Sequence, residues 1–279
     1  MADRRGGRAR AAHTGEVVRT ERLTPHMVRV VFGGEGLADF SAGDFTDHYV
    51  KLLFPVEGVT YPEPFDMRRI REEFPREQWP VTRTYTVRDW DPGLGEATID
   101  FVVHGDEGLA GPWAARAKPG DVLRFLGPGG EYTPDPAADW HLLAGDESAL
   151  PAIARSLEKL PDGADARVFV EVAGPEEEQK LDARTDVVWL HRGTRPVGEA
   201  LVEAVRGLSF PQGRVHAFVH GEAGFVKELR KLLRVELQVP REDLSISGYW
   251  RLGHNEDGWQ ASKPEWNAQV EAEQEGATA

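Results

Sequence analysis

Four stretches of this chain hold residue types that could do chemistry. Arg83-Thr84-Tyr85-Thr86 is the first. On a strand, Arg83 and Tyr85 would face one side and Thr84 and Thr86 the other. A flavin needs a flat partner for its ring, a cation for its phosphates and short polar groups near its reactive nitrogen. The tetrapeptide offers all three, although ordinary cross-strand pairing in a barrel would account for the same residues. The second stretch is His104-Gly105 followed by Gly111-Pro112-Trp113-Ala114, which reads as strand end, glycine-containing loop and helix start. Free amides at a helix N-terminus suit a pyrophosphate. The same pattern also describes a routine connection.

The third stretch is Ala144-Gly145-Asp146-Glu147-Ser148-Ala149-Leu150-Pro151. The first βα turn of an open sheet is where the phosphates of a dinucleotide rest. This is not the G-x-G-x-x-G fingerprint, and Asp146 and Glu147 would repel phosphate unless they turn away. Glu171, near the end of the next strand, could bond a ribose hydroxyl, but a solvated strand-end acid is the preferred reading. The fourth stretch is Gly248-Tyr249-Trp250-Arg251-Leu252-Gly253 with Trp259-Gln260 and Lys263. Aromatics beside an arginine can pack on a ligand ring, or simply close a core.

These residues must be positioned by elements, and the hydrophobic period changes along the chain. Between residues 16 and 126 six short β-rich runs are bounded by Gly, Pro, Ser and Asp, which predicts a small antiparallel barrel. Five prolines (55, 62, 64, 75 and 80) mark a long inserted loop, with one helical turn near Met67 to Glu73. A short helix is expected over Gly111 to Ala117. From Asp139 strands and helices alternate. Helices are expected over Ser148 to Leu160, Glu176 to Leu181, Val197 to Val205 and Ala223 to Leu233. This is the rhythm of a doubly wound parallel sheet, which binds ligands at the carboxyl ends of its strands. The expected organisation is a β-barrel over 14–130, an α/β domain over 138–255 and a partly helical acidic tail over 256–279.

Composition limits the function classes. A chain of 279 residues suits two domains. The absence of cysteine excludes disulfides, thiolate metal sites and a catalytic thiol. A formal net charge of −14 makes nucleic acid an unsuitable partner. Arg4, Arg5, Arg8 and Arg10 cluster in a Gly/Ala-rich N-terminus that reads as a disordered tail. No apolar run approaches the ~18 residues that span a bilayer, and no signal peptide is visible, so a cytoplasmic protein is expected.

In order and spacing the segments resemble the siderophore-interacting protein family of FAD-dependent ferric-siderophore reductases. The matching pieces are His48 to Phe54, Arg83 to Arg88, Ile99 to Gly105, Gly111 to Ala114, Ala144 to Pro151, and Gly248 to Arg251 continuing through Glu256 to Gln260. The resemblance implies a ferredoxin-NADP reductase-like fold, a flavin-binding barrel joined to a nicotinamide-binding α/β domain. It implies that NAD(P)H reduces FAD, which passes single electrons to iron(III) in a siderophore. Siderophores hold iron(III) with hard oxygen donors and iron(II) far less well, so no ligand cluster of the protein's own is needed.

Carried over by residue, the FAD set is Arg83, Thr84, Tyr85, Thr86, Val103, His104, Gly111, Pro112, Trp113, Ala114 and Trp259. The nicotinamide set is Gly145, Asp146, Glu147, Ser148, Gly221 and Glu222, and Lys51, Arg251 and Lys263 suit an anionic siderophore. Glu176, Glu177 and Glu178 lean toward NADH, although Arg192 and Arg195 could reach a 2′-phosphate. Rival readings are a reductase for another acceptor, such as free flavin or a ferredoxin-like protein, and a non-catalytic siderophore-binding protein.

Overall fold

The computed structural model describes residues 12–105 and 108–276. The N-terminal arginines therefore lie outside the described residues. Six antiparallel strands, β1 (His13–Thr24), β2 (Met27–Gly33), β3 (Tyr49–Phe54), β4 (Val81–Asp91), β5 (Glu96–Val102) and β6 (Val122–Gly129), close a barrel in the order β1-β2-β5-β4-β3-β6. Alternation along each strand supplies the interior, with Phe32, Leu52, Ile99, Phe101 and Phe125 at its centre. The β4–β5 hairpin is pinned by Asp91, whose carboxylate accepts from the amides of Gly93 and Leu94.

The proline-rich insertion forms an arm on the outside of the barrel. Its helix α1 (Met67–Glu73) is capped by Asp66, which accepts from the Arg68 amide at 2.8 Å. Met67 and Ile70 pack against Leu53 of β3. Helix α2 (Ala110–Arg116) follows β5 and packs back onto the barrel.

Five parallel strands form the second layer. They are β7 (Trp140–Asp146), β8 (Ala166–Val172), β9 (Val187–His191), β10 (Val215–Glu222) and β11 (Leu244–Trp250), in the order β11-β10-β7-β8-β9. The order reverses between β7 and β10, and the carboxyl ends there open a crevice. Helix α3 (Leu150–Lys159) covers one face, while α4 (Glu199–Arg206) and α5 (Ala223–Lys231) cover the other. The central strands β7, β8 and β10 are buried on both faces and are mostly apolar, with polar residues toward their ends.

One element differs from the sequence expectation. The helix expected over Glu176 to Leu181 is one tight turn over Pro175–Glu177, after which Glu178 is extended. Glu177 there turns into the barrel instead: its carboxylate takes the Thr24 hydroxyl at 2.5 Å and the His26 ring at 2.6 Å. The acidic tail is a single helix, α6 (Glu256–Glu275), interrupted in sequence only by Pro264. Trp259 is 1% exposed and donates to the Gly248 carbonyl, and the far end is tied to α5 through Lys227–Glu273 and Gln274. Among the described residues no helix is long and apolar enough to cross a membrane.

Candidate flavin and nicotinamide cleft

Barrel and sheet meet around a cleft of about 940 Å³. Ligand pockets run from roughly 300 to 1,000 Å³, so a dinucleotide can be housed. On the barrel side β3 pairs with β4 so that Thr84 lies beside Lys51 and Thr86 beside Tyr49. Tyr85 packs its ring 4.6 Å from Phe101 yet keeps part of its surface in the cleft. Thr86 is buried close to the Tyr249 phenol of β11, so the two layers come together at the site.

Arg83 is held by the first turn of α6. Its guanidinium lies 3.1 Å from Asp257 and 3.9 Å from Glu256. The Thr84 amide donates to Glu256 at 2.7 Å. Burial raises the pKa of Glu256, against the hydrogen bonds from Thr84 and the nearby Arg83 that lower it. An acid pair thus rests on the cation and on the strand that the sequence reading assigns to a flavin.

The second predicted stretch divides. His104 and Gly111 line the cleft, with Leu109 and Ala110 at the start of α2. Gly111 is there because a Cβ would sit 2.9 Å from the Val102 carbonyl. Val103, Pro112 and Ala114 are buried beneath, and the Trp113 indole lies in the barrel core, 6.0 Å from Phe32 and 5.8 Å from Phe101. These four therefore support the wall without lining it.

The third stretch divides in the same way. Asp146 is fully enclosed. It accepts from the Ser148 amide and hydroxyl, the Glu222 amide and the Trp250 indole. Burial, with the Glu147 carboxylate adjacent, pushes its pKa up to about 7. Gly145 and Gly221 permit this packing: a Cβ at Gly145 would lie 2.7 Å from the His220 carbonyl, and one at Gly221 2.7 Å from Asp146. Glu222 caps α5 through the amides of Gly224 and Phe225. Gly145, Asp146, Gly221 and Glu222 form the frame of the switch point, whereas Glu147 and Ser148 line the cleft.

Glu147 does not face the cleft as a bare charge. It pairs with Arg192 at 2.7 Å, and Arg192 also reaches Glu171 at 3.3 Å. Glu171 corrects the expectation of a solvated acid: it is 0% exposed and accepts the Gly198 and Leu201 amides at the start of α4. Arg195 is taken by Glu199 and Glu203.

Arg251, Trp259 and Lys263 line the cleft from the β11–α6 side. Lys263 donates to the Ser247 hydroxyl at 2.9 Å, and burial lowers its pKa. His220 beside it was not singled out by sequence. Burial, with the Lys263 ammonium near, pushes it down to about 3, so the ring is neutral. Glu256 was inside a matched segment but carried no signal of its role, because its partner lies 172 residues away.

A flat aromatic, a cation and a glycine-shaped wall around a large cleft fit a dinucleotide flavin. Comparison with known proteins agrees. Residues 16–132 match the siderophore-interacting FAD-binding domain and residues 138–253 match the siderophore-interacting protein family. An uncharacterized protein of Mycobacterium tuberculosis is 47% identical over 272 residues, covering 92% of this chain and 96% of its own. The ferric vibriobactin reductase of Vibrio cholerae is 36% identical over 251 residues, covering 88% and 91%. The crystal structure of a siderophore utilization protein from T. fusca superposes with a TM-score of 0.77 at 39% identity, covering 89% of this chain and 95% of that one. Phthalate dioxygenase reductase, at 14% identity, a TM-score of 0.60 and coverage of 88% and 70%, shares the ferredoxin-reductase-like fold. With both layers matched and that identity across nearly the whole length, the chain belongs to the siderophore-interacting protein family.

Proposed function

We propose that this protein is an NAD(P)H-dependent, FAD-containing ferric-siderophore reductase. The observation that carries the reading is the single cleft bearing Arg83 to Thr86 on one wall and the sheet's carboxyl ends on the other, with Lys51, Arg251 and Lys263 between them. FAD, when bound, accepts two electrons together and releases them singly. Residues 14–130 would hold it, residues 138–255 would present the nicotinamide, and residues 256–279 would brace both. Tyr85 supplies a face for the flavin ring and Arg83 the charge for its phosphates, in exchange for Asp257. Lys51, Arg251 and Lys263 give an anionic chelate a cationic mouth in a chain of net charge −14. Reduction lowers the affinity of hard oxygen donors for the metal, so iron leaves without protein ligands.

NADH is the favoured donor. Arg192 and Arg195 are each engaged by two carboxylates, and Glu176 to Glu178 flank the end of β8. A ribose 2′-phosphate would have to displace those partners. The deciding experiment reduces the FAD-loaded protein anaerobically with NADH or NADPH, then adds ferric siderophores and traps iron(II). Flavin bleaching by NADH and recovery with iron(II) release support the reading. A colourless protein that retains no FAD, or reduced flavin that ferric siderophores leave unoxidised, overturns it.

A further inference from the structure

The arm borders a second, open cavity beside the cleft. Along β3, Val50, Leu52 and Phe54 enter the barrel core, while Tyr49, Lys51 and Leu53 take the outer face. Helix α1 covers only part of that face, closing over Leu53 with Met67 and Ile70. Tyr49 remains 40% exposed and Lys51 is exposed beside it. Between them and α1 lies a cavity of about 460 Å³, whose walls include Arg68, Arg71 and Gly129. Tyr49 and Lys51 line the main cleft as well, so the two spaces share a wall.

The lining has a definite chemistry. A Cβ at Gly129 would sit 2.6 Å from the Tyr49 Cζ and 2.7 Å from its hydroxyl, so glycine lets the ring lie down on β6. Among the described residues no carboxylate pairs with Lys51 or Arg71. Arg71 lies over the Trp79 ring at 5.7 Å, and Arg68 shares Glu72 at 3.0 Å. Asp66 and Glu72 also line the space, but the Asp66 carboxylate caps α1 and the Glu72 carboxylate is taken by Arg68. Two unpaired cations and an open phenol face thus stand together on an acidic molecule.

We propose that this cavity receives the outer aryl rings of a ferric catecholate, so that the arm selects the class of siderophore. The inference rests on the reductase reading for its iron chelate. A ferric catecholate is a multiply charged anion edged by flat rings. A ferric trihydroxamate core is neutral and has no aryl group. Lys51, Arg68 and Arg71 reward the charge, and the Tyr49 face rewards the ring.

The test uses the full chain with FAD bound and gallium(III) in place of iron. Gallium chelates are not reduced, so binding is read apart from turnover. The wild type is expected to bind a gallium tris-catecholate more tightly than a gallium trihydroxamate. Arg71→Ala and Tyr49→Leu are each expected to weaken the catecholate roughly three- to tenfold and leave the hydroxamate unchanged. Flavin content and near-UV circular dichroism check the fold, and Arg71→Lys, which keeps the charge, is expected to recover most of the affinity. Equal wild-type affinity for the two chelates overturns the inference, as does an Arg68→Ala/Arg71→Ala protein that binds catecholate normally. If the gallium pattern appears but ferric catecholate is never reduced, the reductase reading fails while the cavity assignment stands. Normal reduction with no gallium effect in the variants gives the reverse.

Discussion

Arg83 and Asp146 are the two residues whose surroundings say most about the site. Arg83 is engaged by the acid pair of α6 at 3.1 and 3.9 Å, yet a flavin phosphate would offer it a doubly hydrogen-bonding partner. Arg83→Ala is therefore expected to weaken FAD roughly ten- to a hundredfold. Tyr85→Ala, which removes only a ring face, should cost roughly three- to tenfold. A fluorescence titration of the apoprotein with FAD measures both, and unchanged affinity in the pair would remove the flavin from this wall. Asp146 is framework. Its carboxylate takes four donors with two oxygens, and an amide would turn an N–H toward two of them. Asp146→Asn should destabilise the fold by about 1–3 kcal/mol although it removes a buried charge. The pH dependence runs the other way from an ordinary acid pair. Because the folded pKa is raised from 3.8 to about 7, the folded protein holds the extra proton between these values. The contribution of Asp146 to stability then falls as pH rises through that window. Urea titrations across pH 4 to 7 would reveal that slope in the wild type and its loss in the variant.

At the scale of elements, α6 is the piece whose importance its composition concealed. Its acidic, weakly patterned sequence reads as a tail, with only Trp259 and Trp266 as large apolar residues. The helix is fixed because Trp259 enters a slot made by Gly248: a Cβ there would meet the indole at 3.0 Å. Its first turn then reaches the Thr84 amide through Glu256. Trp259→Ala should cost about 3–5 kcal/mol and speed flavin loss. Differential scanning calorimetry together with flavin release on dilution measures the two effects. A lowered melting temperature with unchanged flavin release would separate α6 from the cofactor wall. The β4 strand, by contrast, is legible in sequence: Thr82 to Arg88 alternates, ends at an Asp-Pro-Gly turn and pairs as a strand. That information is local, whereas the role of Glu256 depends on a partner far along the chain.

The whole molecule depends on how the barrel is fastened to the sheet. Glu177 is one fastener, with Thr24 and His26 of the barrel bonded to its carboxylate. Ser156 to Thr46 at 2.8 Å and Arg155 to Asp89 at 3.1 Å are others, both from α3. Burial opposes ionisation of Glu177, but the bonds from Thr24 and His26 more than offset it and leave its pKa lowered. A lowered carboxyl pKa contributes stability that is complete above the ordinary value of 4.5 and is lost as pH falls through the folded one. Glu177→Gln should therefore unfold more easily at pH 7, by about 1–3 kcal/mol. The gap between variant and wild type should close as acidification below pH 4.5 protonates the carboxylate in the folded protein. A gap that persists unchanged in acid would show that the carboxylate charge is not what fastens the two layers.

The order of strand types was determined by sequence alone. Period-two runs with turn residues demanded a barrel, and apolar strands alternating with helices demanded a parallel sheet, because each period buries a face only in its own kind of element. The Arg83-Thr84-Tyr85-Thr86 strand and the Gly145 turn could likewise be found by type and spacing. Tertiary structure decided where the charges point. Asp146 and Glu171 look like strand-end acids in sequence, but both are enclosed because Trp250 and the start of α4 bring donors to them. Trp113, which the resemblance puts in the FAD set, fills the barrel instead. The acidic α6 braces the cleft, and the arm leaves Tyr49 and Lys51 uncovered. In each case the deciding contact joins residues distant in sequence, and its free energy comes from burial that no local pattern encodes.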